Sequence, residues 1–196
     1  MSMARLTRAE SQARTRAQLV ATAKQLFFEQ GYHPTTLEKV ADAAGFSKGA
    51  VYSNFRNKDE LCVAVLQQQR EERMAEILSL IAEPDAELRL RRFQDWAQQV
   101  VGDPGWTSLE VEFAMHARRD EQLRADLGAR LDNVLTVLAA AADTAVGVDS
   151  KLPGRELATV LLALGAGLGL FRSINPSIPV DGLIDTLGIL TQQDAR

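Results

Sequence analysis

Apolar side chains recur along this chain at intervals of three and four residues, the spacing of one face of an α-helix. The segments between these runs carry glycine, proline and asparagine, which end helices and form turns. No segment shows the sustained two-residue alternation that is typical of a strand. The pattern therefore predicts an all-α protein of about nine helices. They are expected over residues 13–30, the two short helices of 35–55, 57–81, 86–101, 107–119, 120–146, 155–173 and 181–191.

The segment 35–60, TTLEKVADAAGFSKGAVYSNFRNKDE, has the most specific local pattern in the chain. We interpret Thr35 and Glu38 as a capping box that starts a short helix, which Gly45 then ends. Ser47 is suited to cap a second short helix, and Asn57 a third. A helix, a turn containing glycine and a second short helix form the helix-turn-helix arrangement that reads DNA.

Residues 17–61 resemble the DNA-binding domain of the TetR family, the tetracycline-repressor-like bacterial transcriptional regulators. The residues that carry the resemblance are ATAKQLF at 21–27 and GYHPTTLEKVADAAGFSKGAVYSNFRNKDEL at 31–61. The rest of the chain is similar to the family in length and helicity and not in motif. The resemblance implies an N-terminal three-helix helix-turn-helix DNA-binding domain over 1–56. It also implies a C-terminal helical domain for ligand binding and dimerisation over 57–196.

The distribution of charge agrees with a DNA-facing amino-terminal domain. The whole chain has a formal net charge of −4, but residues 1–60 hold nine Lys and Arg against six Asp and Glu. Contacts with phosphate act over roughly 8 Å at physiological salt, so local charge matters more than the total. Residues 1–12 are expected to form a flexible basic arm, with Arg5 and Arg8. Such an arm can enter a minor groove, or can be only a flexible terminus.

The candidate DNA-contacting residues lie at the start of the second short helix and at neighbouring helix ends. Lys48 can donate to guanine O6 and N7, and Ala50 can contact a thymine methyl group. The resemblance implies that Tyr52, Thr36 and Lys58 contact phosphate, which fixes register without reading sequence. Helix capping alone also accounts for some of these positions. The predicted set is Thr35, Thr36, Ser47, Lys48, Gly49, Ala50, Tyr52, Asn54 and Lys58.

The helix predicted over 155–173 is apolar on nearly every side, so it must be covered on every side. A second copy of the chain would provide that cover, and glycines four residues apart allow another backbone to approach closely. The alternative is that these glycines only accommodate a neighbour in their own chain. The resemblance implies a homodimer built by the last two long helices, and hence a palindromic operator. The predicted interface comprises Leu161, Leu164, Gly165, Leu168 and Gly169.

The resemblance also implies that the larger domain binds a small-molecule effector that releases a repressor from DNA. The long helix from Asn57 is expected to transmit that signal. An apolar and aromatic lining predicts a hydrophobic effector, although aromatic residues at helical spacing also form ordinary cores. A ligand-activated regulator is the alternative. The predicted pocket comprises Phe93, Trp96, Val100, Trp106, Phe113, His116 and Phe171.

Other classes of function receive little support from the sequence. Two histidines and one cysteine provide few groups for nucleophilic or metal chemistry, so we expect no enzyme, no metal and no cofactor. A thiol-based redox response through Cys62, or a helical interaction module that does not read DNA, are further alternatives. The polar amino terminus has no apolar signal segment, and the apolar run 157–171 is shorter than the roughly 20 residues of a membrane span. We therefore expect a soluble, cytoplasmic protein without a membrane partner.

Overall fold

The computed structural model describes residues 7–146 and 152–191, except for the side chains of 145 and 146. Within these ranges the chain forms nine α-helices and no strand, which confirms the all-α prediction. Much of the loop predicted over 147–154 lies outside the described residues. The helices are α1 (Arg8–Gln30), α2 (Leu37–Ala44), α3 (Lys48–Tyr52), α4 (Lys58–Ile81), α5 (Ala86–Val100), α6 (Pro104–Ala117), α7 (Glu121–Val146), α8 (Gly154–Ile174) and α9 (Asp181–Leu190).

Helix α1 begins five residues before its predicted start, at Arg8. The Thr7 N–H donates to the Glu10 carboxylate at 2.7 Å, and the Glu10 N–H donates to Thr7 Oγ1 at 3.2 Å. This capping box satisfies amide groups that a helix start otherwise leaves without partners. The predicted flexible arm is therefore wrong from residue 7 onward, and Arg5 lies outside the described residues.

The start of α2 corrects the predicted capping box. Thr36 is the N-cap, because its Oγ1 accepts a hydrogen bond from the Lys39 N–H at 3.2 Å. Thr35 is fully buried, and its hydroxyl donates to the Gly31 carbonyl at 2.9 Å. The first threonine thus holds the α1–α2 turn together, and the second starts the helix.

The helix-turn-helix itself forms as the sequence predicts. Gly45 ends α2 in the left-handed conformation, with φ of 72°, which glycine adopts at little cost. Ser47 caps α3 by accepting from the Ala50 N–H at 3.2 Å. Val51 and Phe55 are buried, so this face of the short helix belongs to the core of the domain.

The chain divides into two compact units, Met1–Glu71 and Glu72–Arg196. The predicted boundary at residue 56 falls before α4, whereas the first unit includes the first half of that helix. Asn57 starts α4, because its Oδ1 accepts from the Glu60 N–H at 2.8 Å. The buried residues of this half of the helix are Leu61, Cys62, Val65, Leu66 and Gln69.

The second unit contains α5 to α9. Helix α6 begins at Pro104, earlier than predicted, because Asp103 caps it by accepting from the Trp106 N–H at 2.8 Å. Proline is well tolerated in this first turn, since its missing N–H would have no partner there. A small core gathers residues from α5, α8 and α9, with Ala97, Val180 and Leu183 buried and Phe93, Trp96, Val101, Leu161, Leu168 and Ile184 packed against them.

The end of α8 is fixed to the α5–α6 turn. Arg172 Nε donates to the Val101 carbonyl at 2.7 Å, and Nη2 donates to the Gln98 carbonyl at 3.2 Å. Gly102 has φ of 93°, and a Cβ there would meet Arg172 Cβ at 2.3 Å, so glycine is required. Among the described residues, α8 is the helix whose length and composition would allow it to cross a membrane. These contacts make it part of a packed helical unit.

Candidate nucleic-acid interface

The first turn of α3 presents small side chains around one lysine. Ser47, Lys48 and Gly49 are exposed, and Ala50 is half-buried. Among the described residues, a Cβ added at Gly49 would have Ser47 Oγ, at 3.9 Å, as its only neighbour within 4 Å. This surface allows the backbone of the helix to approach another molecule closely, with a single positive charge beside it.

Tyr52 lies at the other end of α3 and is 50% exposed. Its hydroxyl donates to Glu38 Oε1 at 2.8 Å, which joins the end of α3 to the first turn of α2. This hydrogen bond is the main reason that the pKa of Glu38 is lowered and that the pKa of Tyr52 is raised. The sequence placed Tyr52 on the surface correctly, but it did not indicate the carboxylate that holds the hydroxyl.

The helix ends on either side of α3 behave differently from one another. Thr36 is exposed at the start of α2, where a phosphate can approach the helix N-terminus. Thr35 is buried, so its side chain cannot contact DNA. Lys58 Nζ donates to the Tyr32 carbonyl at 3.0 Å and to the His33 carbonyl at 3.2 Å. It also lies 4.0 Å from the centre of the Tyr32 ring, so its contacts are those of a structural residue.

Arg16 is a positioning residue that the sequence analysis missed. Its Nη1 donates to the Asn54 carbonyl at 2.7 Å, and its guanidinium lies 4.1 Å from the centre of the Phe55 ring. The Asn54 side chain donates to the Ala50 carbonyl at 2.8 Å, so the predicted DNA-contacting amide is bonded to the backbone of α3. The available signal was an arginine three residues before Leu19, on the apolar side of α1.

The residues predicted to line a ligand pocket form two ring pairs and one exposed ring. Phe93 and Trp96 pack 5.3 Å apart, while Phe113 and His116 stack at 6.0 Å. Val100 and Trp106, also in the predicted set, are half-buried. Phe171 is 60% exposed, so it does not line an enclosed pocket within this chain, and its predicted role in ligand binding stays a prediction. Phe171 belongs to α8 and does not lie on the buried side of that helix.

The predicted dimer interface is only partly exposed. Leu161 and Leu168 pack against the core of the second unit, and Gly169 is buried beside the α5–α6 turn. These three residues face their own chain, as the alternative interpretation of the glycines held for Gly169. Leu164 is 37% exposed, and a Cβ at Gly165 would meet no described atom within 4 Å.

A different set of residues forms an exposed apolar face on α8, which we call the α8 stripe. Its members follow each other at intervals of four and three residues, which places them on one side of a helix. The sequence could not indicate this register, because nearly every side of the helix is apolar. The α8 stripe comprises Val160, Leu164, Gly167, Phe171 and Ile174.

Cys62 is fully buried, so reagents in solution have no access to its thiol in the folded chain. Among the described residues, no group of three or more His, Cys, Asp and Glu side chains is arranged to hold a metal ion.

The fold and the exposed first turn of α3 define a helix-turn-helix protein with a larger all-helical second unit. The family model described as bacterial regulatory proteins, tetR family, matches residues 19–65. The HTH-type transcriptional repressor Rv1474c of Mycobacterium tuberculosis is 30% identical over 161 residues, covering 67% of this chain and 86% of that protein. The chain belongs to the tetR family.

Two further comparisons describe the extent of the similarity. The HTH-type transcriptional regulator TtgR of Pseudomonas putida is 42% identical over 69 residues, covering 35% of this chain. That alignment spans only 32% of TtgR, about a third of its length. The crystal structure of AibR in complex with isovaleryl coenzyme A and operator DNA superposes with a TM-score of 0.59. Its sequence identity is 23%, and the comparison covers 90% of this chain and 98% of AibR.

Proposed function

We propose that this chain is a sequence-specific DNA-binding transcriptional regulator that represses from a palindromic operator. The observation that carries the proposal is the exposed first turn of α3. There, Ser47 fixes the helix start, and Lys48 and Gly49 are presented outward. Helix-turn-helix proteins insert this end of the second helix into the major groove. The names of Rv1474c and TtgR, a repressor and a regulator, support the same class of function.

The proposed contacts fall into two kinds. Lys48 donates to guanine, while Gly49 and Ala50 allow the helix to lie against base edges. Thr36 and Tyr52, which both neighbour Glu38, contact phosphates beside the reading helix and so fix its register. The contacts of Thr35 and Lys58 within the protein support structural roles for both residues.

We propose that the operator-binding form is a homodimer that buries the α8 stripe. Phe171 and Ile174 are 60% and 78% exposed, which is unusual for large apolar side chains. Leu131 and Val137 of α7 are also large apolar residues, and they are 49% and 44% exposed. The α8 stripe is an exposed apolar patch along one side of a helix, and such patches mark interaction sites. A two-fold dimer presents two reading helices, which fit major grooves about 34–36 Å apart.

We also propose that a small, largely apolar effector binds the second unit and controls release from DNA. Phe93 and Trp96 supply partly exposed aromatic surface there, and Trp96 Nε1 donates to Glu76 Oε2 at 2.7 Å. AibR was crystallised with both isovaleryl coenzyme A and operator DNA, which supports an effector-responsive regulator. The protein acts in the cytoplasm, where its DNA lies. In the alternative, the effector binds the same unit but strengthens DNA binding.

Because Cys62 is buried, the structure gives no support to a thiol-based response. The experiment that tests the proposed function is an operator-binding assay. The purified chain is titrated against DNA flanking its own gene, at several salt concentrations and with excess random DNA. We expect saturable binding that resists the competitor. The logarithm of the binding constant should fall with the logarithm of salt by about 0.9 per neutralised phosphate.

A matched pair of variants makes this experiment specific to α3. Lys48→Ala should weaken operator binding, whereas Arg124→Ala removes an exposed charge from α7 and should leave binding unchanged. Addition of candidate apolar effectors to the bound complex then gives the sign of the response. Equal losses in the two variants, or binding that disappears into random competitor, would contradict the proposed reading helix.

A further inference from the structure

A negatively charged side chain lies on the surface that the proposed function assigns to DNA. Glu38 is in the first turn of α2, two residues after the exposed cap Thr36. Its carboxylate accepts the hydrogen bond from Tyr52 at 2.8 Å. Both neighbours are proposed phosphate-contacting residues. A carboxylate between two such residues repels the phosphates that they are meant to hold.

The direction of the hydrogen bond adds a second effect. The Tyr52 hydroxyl donates its proton to Glu38, so this proton is not available to a phosphate oxygen while the bond exists. A phosphate carries only acceptor oxygens at neutral pH, so a contact with Tyr52 requires that proton. Glu38 therefore competes with DNA for the same donor.

The carboxylate is charged under the conditions in which DNA binds. The hydrogen bond from Tyr52 is the largest cause of its lowered pKa, followed by the amide of the helix start and the Thr36 hydroxyl. The positive charge of Lys48 acts in the same direction. The full negative charge is therefore present at neutral pH.

We infer that Glu38 limits the affinity of the reading surface for DNA of any sequence, by repelling phosphate and by holding the Tyr52 proton. The inference rests on the proposed DNA-binding function. Because Glu38 repels the phosphates of the DNA backbone and not the bases, it lowers the affinity for operator and for random DNA equally. A repressor whose affinity is limited in this way dissociates more readily, both from random sites during its search and from its operator.

The test separates the charge from the hydrogen bond. Glu38→Gln keeps an amide oxygen that can accept from Tyr52 but removes the charge. Removing the repulsion between the Glu38 carboxylate and a phosphate about 7 Å away in water should raise the affinity for DNA. The expected gain in affinity is roughly threefold per half-site and about tenfold for a two-fold dimer. We expect this gain on both operator and random DNA at low salt, and a smaller gain at high salt because repulsion is screened.

Two controls accompany this variant. Glu121→Gln changes the net charge equally, at an exposed position in the first turn of α7, and should leave affinity unchanged. Glu38→Ala removes the charge and the acceptor together and should also raise affinity, which covers the case in which the glutamine variant folds poorly. Thermal melting of each variant verifies that it is folded.

The outcomes distinguish this inference from the proposed function. If the wild-type protein does not bind its operator saturably, the proposed function fails. If the wild-type protein binds and folded Glu38→Gln binds no more tightly, the inference alone is overturned and Glu38 only positions Tyr52. A gain confined to the operator would also overturn it, because that result would mean that Glu38 reads bases.

Discussion

Replacing Gly49 by alanine should make the protein more stable and its DNA binding weaker. These opposite signs follow from the position of the residue. Gly49 is inside α3 and does not have a positive φ, so the backbone does not require glycine there. Glycine in a helix costs about 0.5–1 kcal/mol relative to alanine. The residue that suits DNA is thus less favourable than alanine for the fold alone.

The magnitude of the stabilisation follows from the local geometry. An added Cβ would meet Ser47 Oγ at 3.9 Å, which is ordinary van der Waals contact. Because Gly49 is in the first turn of a five-residue helix, we take the lower end of the range, about 0.5 kcal/mol. For a chain of this length that corresponds to a rise in Tm of roughly 1–2 °C.

The expected loss of binding is larger than the gain in stability. A methyl group inserted into a closely packed contact costs roughly 1–3 kcal/mol. This corresponds to a loss of about 5- to 150-fold in affinity per half-site. Calorimetric melting and operator titration, carried out on the same preparation, measure both effects.

Gly128→Ala is the matched control for this experiment. Gly128 is exposed in α7, and a Cβ there would meet no described atom within 4 Å. The control should raise stability without changing DNA binding. Undiminished operator affinity in Gly49→Ala would refute the close approach of α3, and a lower Tm in the same variant would refute the argument from helix preference.

Three further predictions concern other parts of the chain. Thr35→Val should destabilise the fold by about 1–3 kcal/mol in urea unfolding, because the Gly31 carbonyl loses its donor; an unchanged midpoint would contradict this role. Leu164→Glu should convert the expected dimer into monomers in sedimentation equilibrium, and a dimer that persists would place the interface elsewhere. Cys62 should react with a thiol reagent only as fast as the protein opens, so rapid labelling of the folded protein would restore the redox alternative.

The parts of the fold that could be predicted are those with local causes. Ser47 and Asn57 accept from backbone N–H groups, and the Gly45 N–H donates to the Ala41 and Asp42 carbonyls. All these partners lie within four residues, so the sequence alone indicates them. The choice between Thr35 and Thr36 as the cap could not be made locally. It depends on which hydroxyl the α1–α2 turn buries, and burial is decided by residues distant in the sequence.

The parts of the candidate site that could not be predicted depend on contacts between helices. The Tyr52–Glu38 bond joins residues 14 positions apart, and the Arg16–Asn54 bond joins residues 38 positions apart. The register of α8 was equally hidden, because its apolar residues occupy nearly every side. Only packing reveals that Leu168 faces its own chain and that Phe171 does not.

The contacts of Lys58 and Asp59 determine where recombination can join the DNA-binding domain of one such protein to the second unit of another. Lys58 donates to the carbonyls of Tyr32 and His33, and Asp59 accepts from the Tyr32 hydroxyl, so the first turn of α4 is fastened to the α1–α2 turn. A recombination breakpoint in the loop at residue 56 would separate these groups. The portable DNA-reading module therefore ends inside a helix, and a chimaera that inherits a new reading head must inherit the beginning of α4 with it.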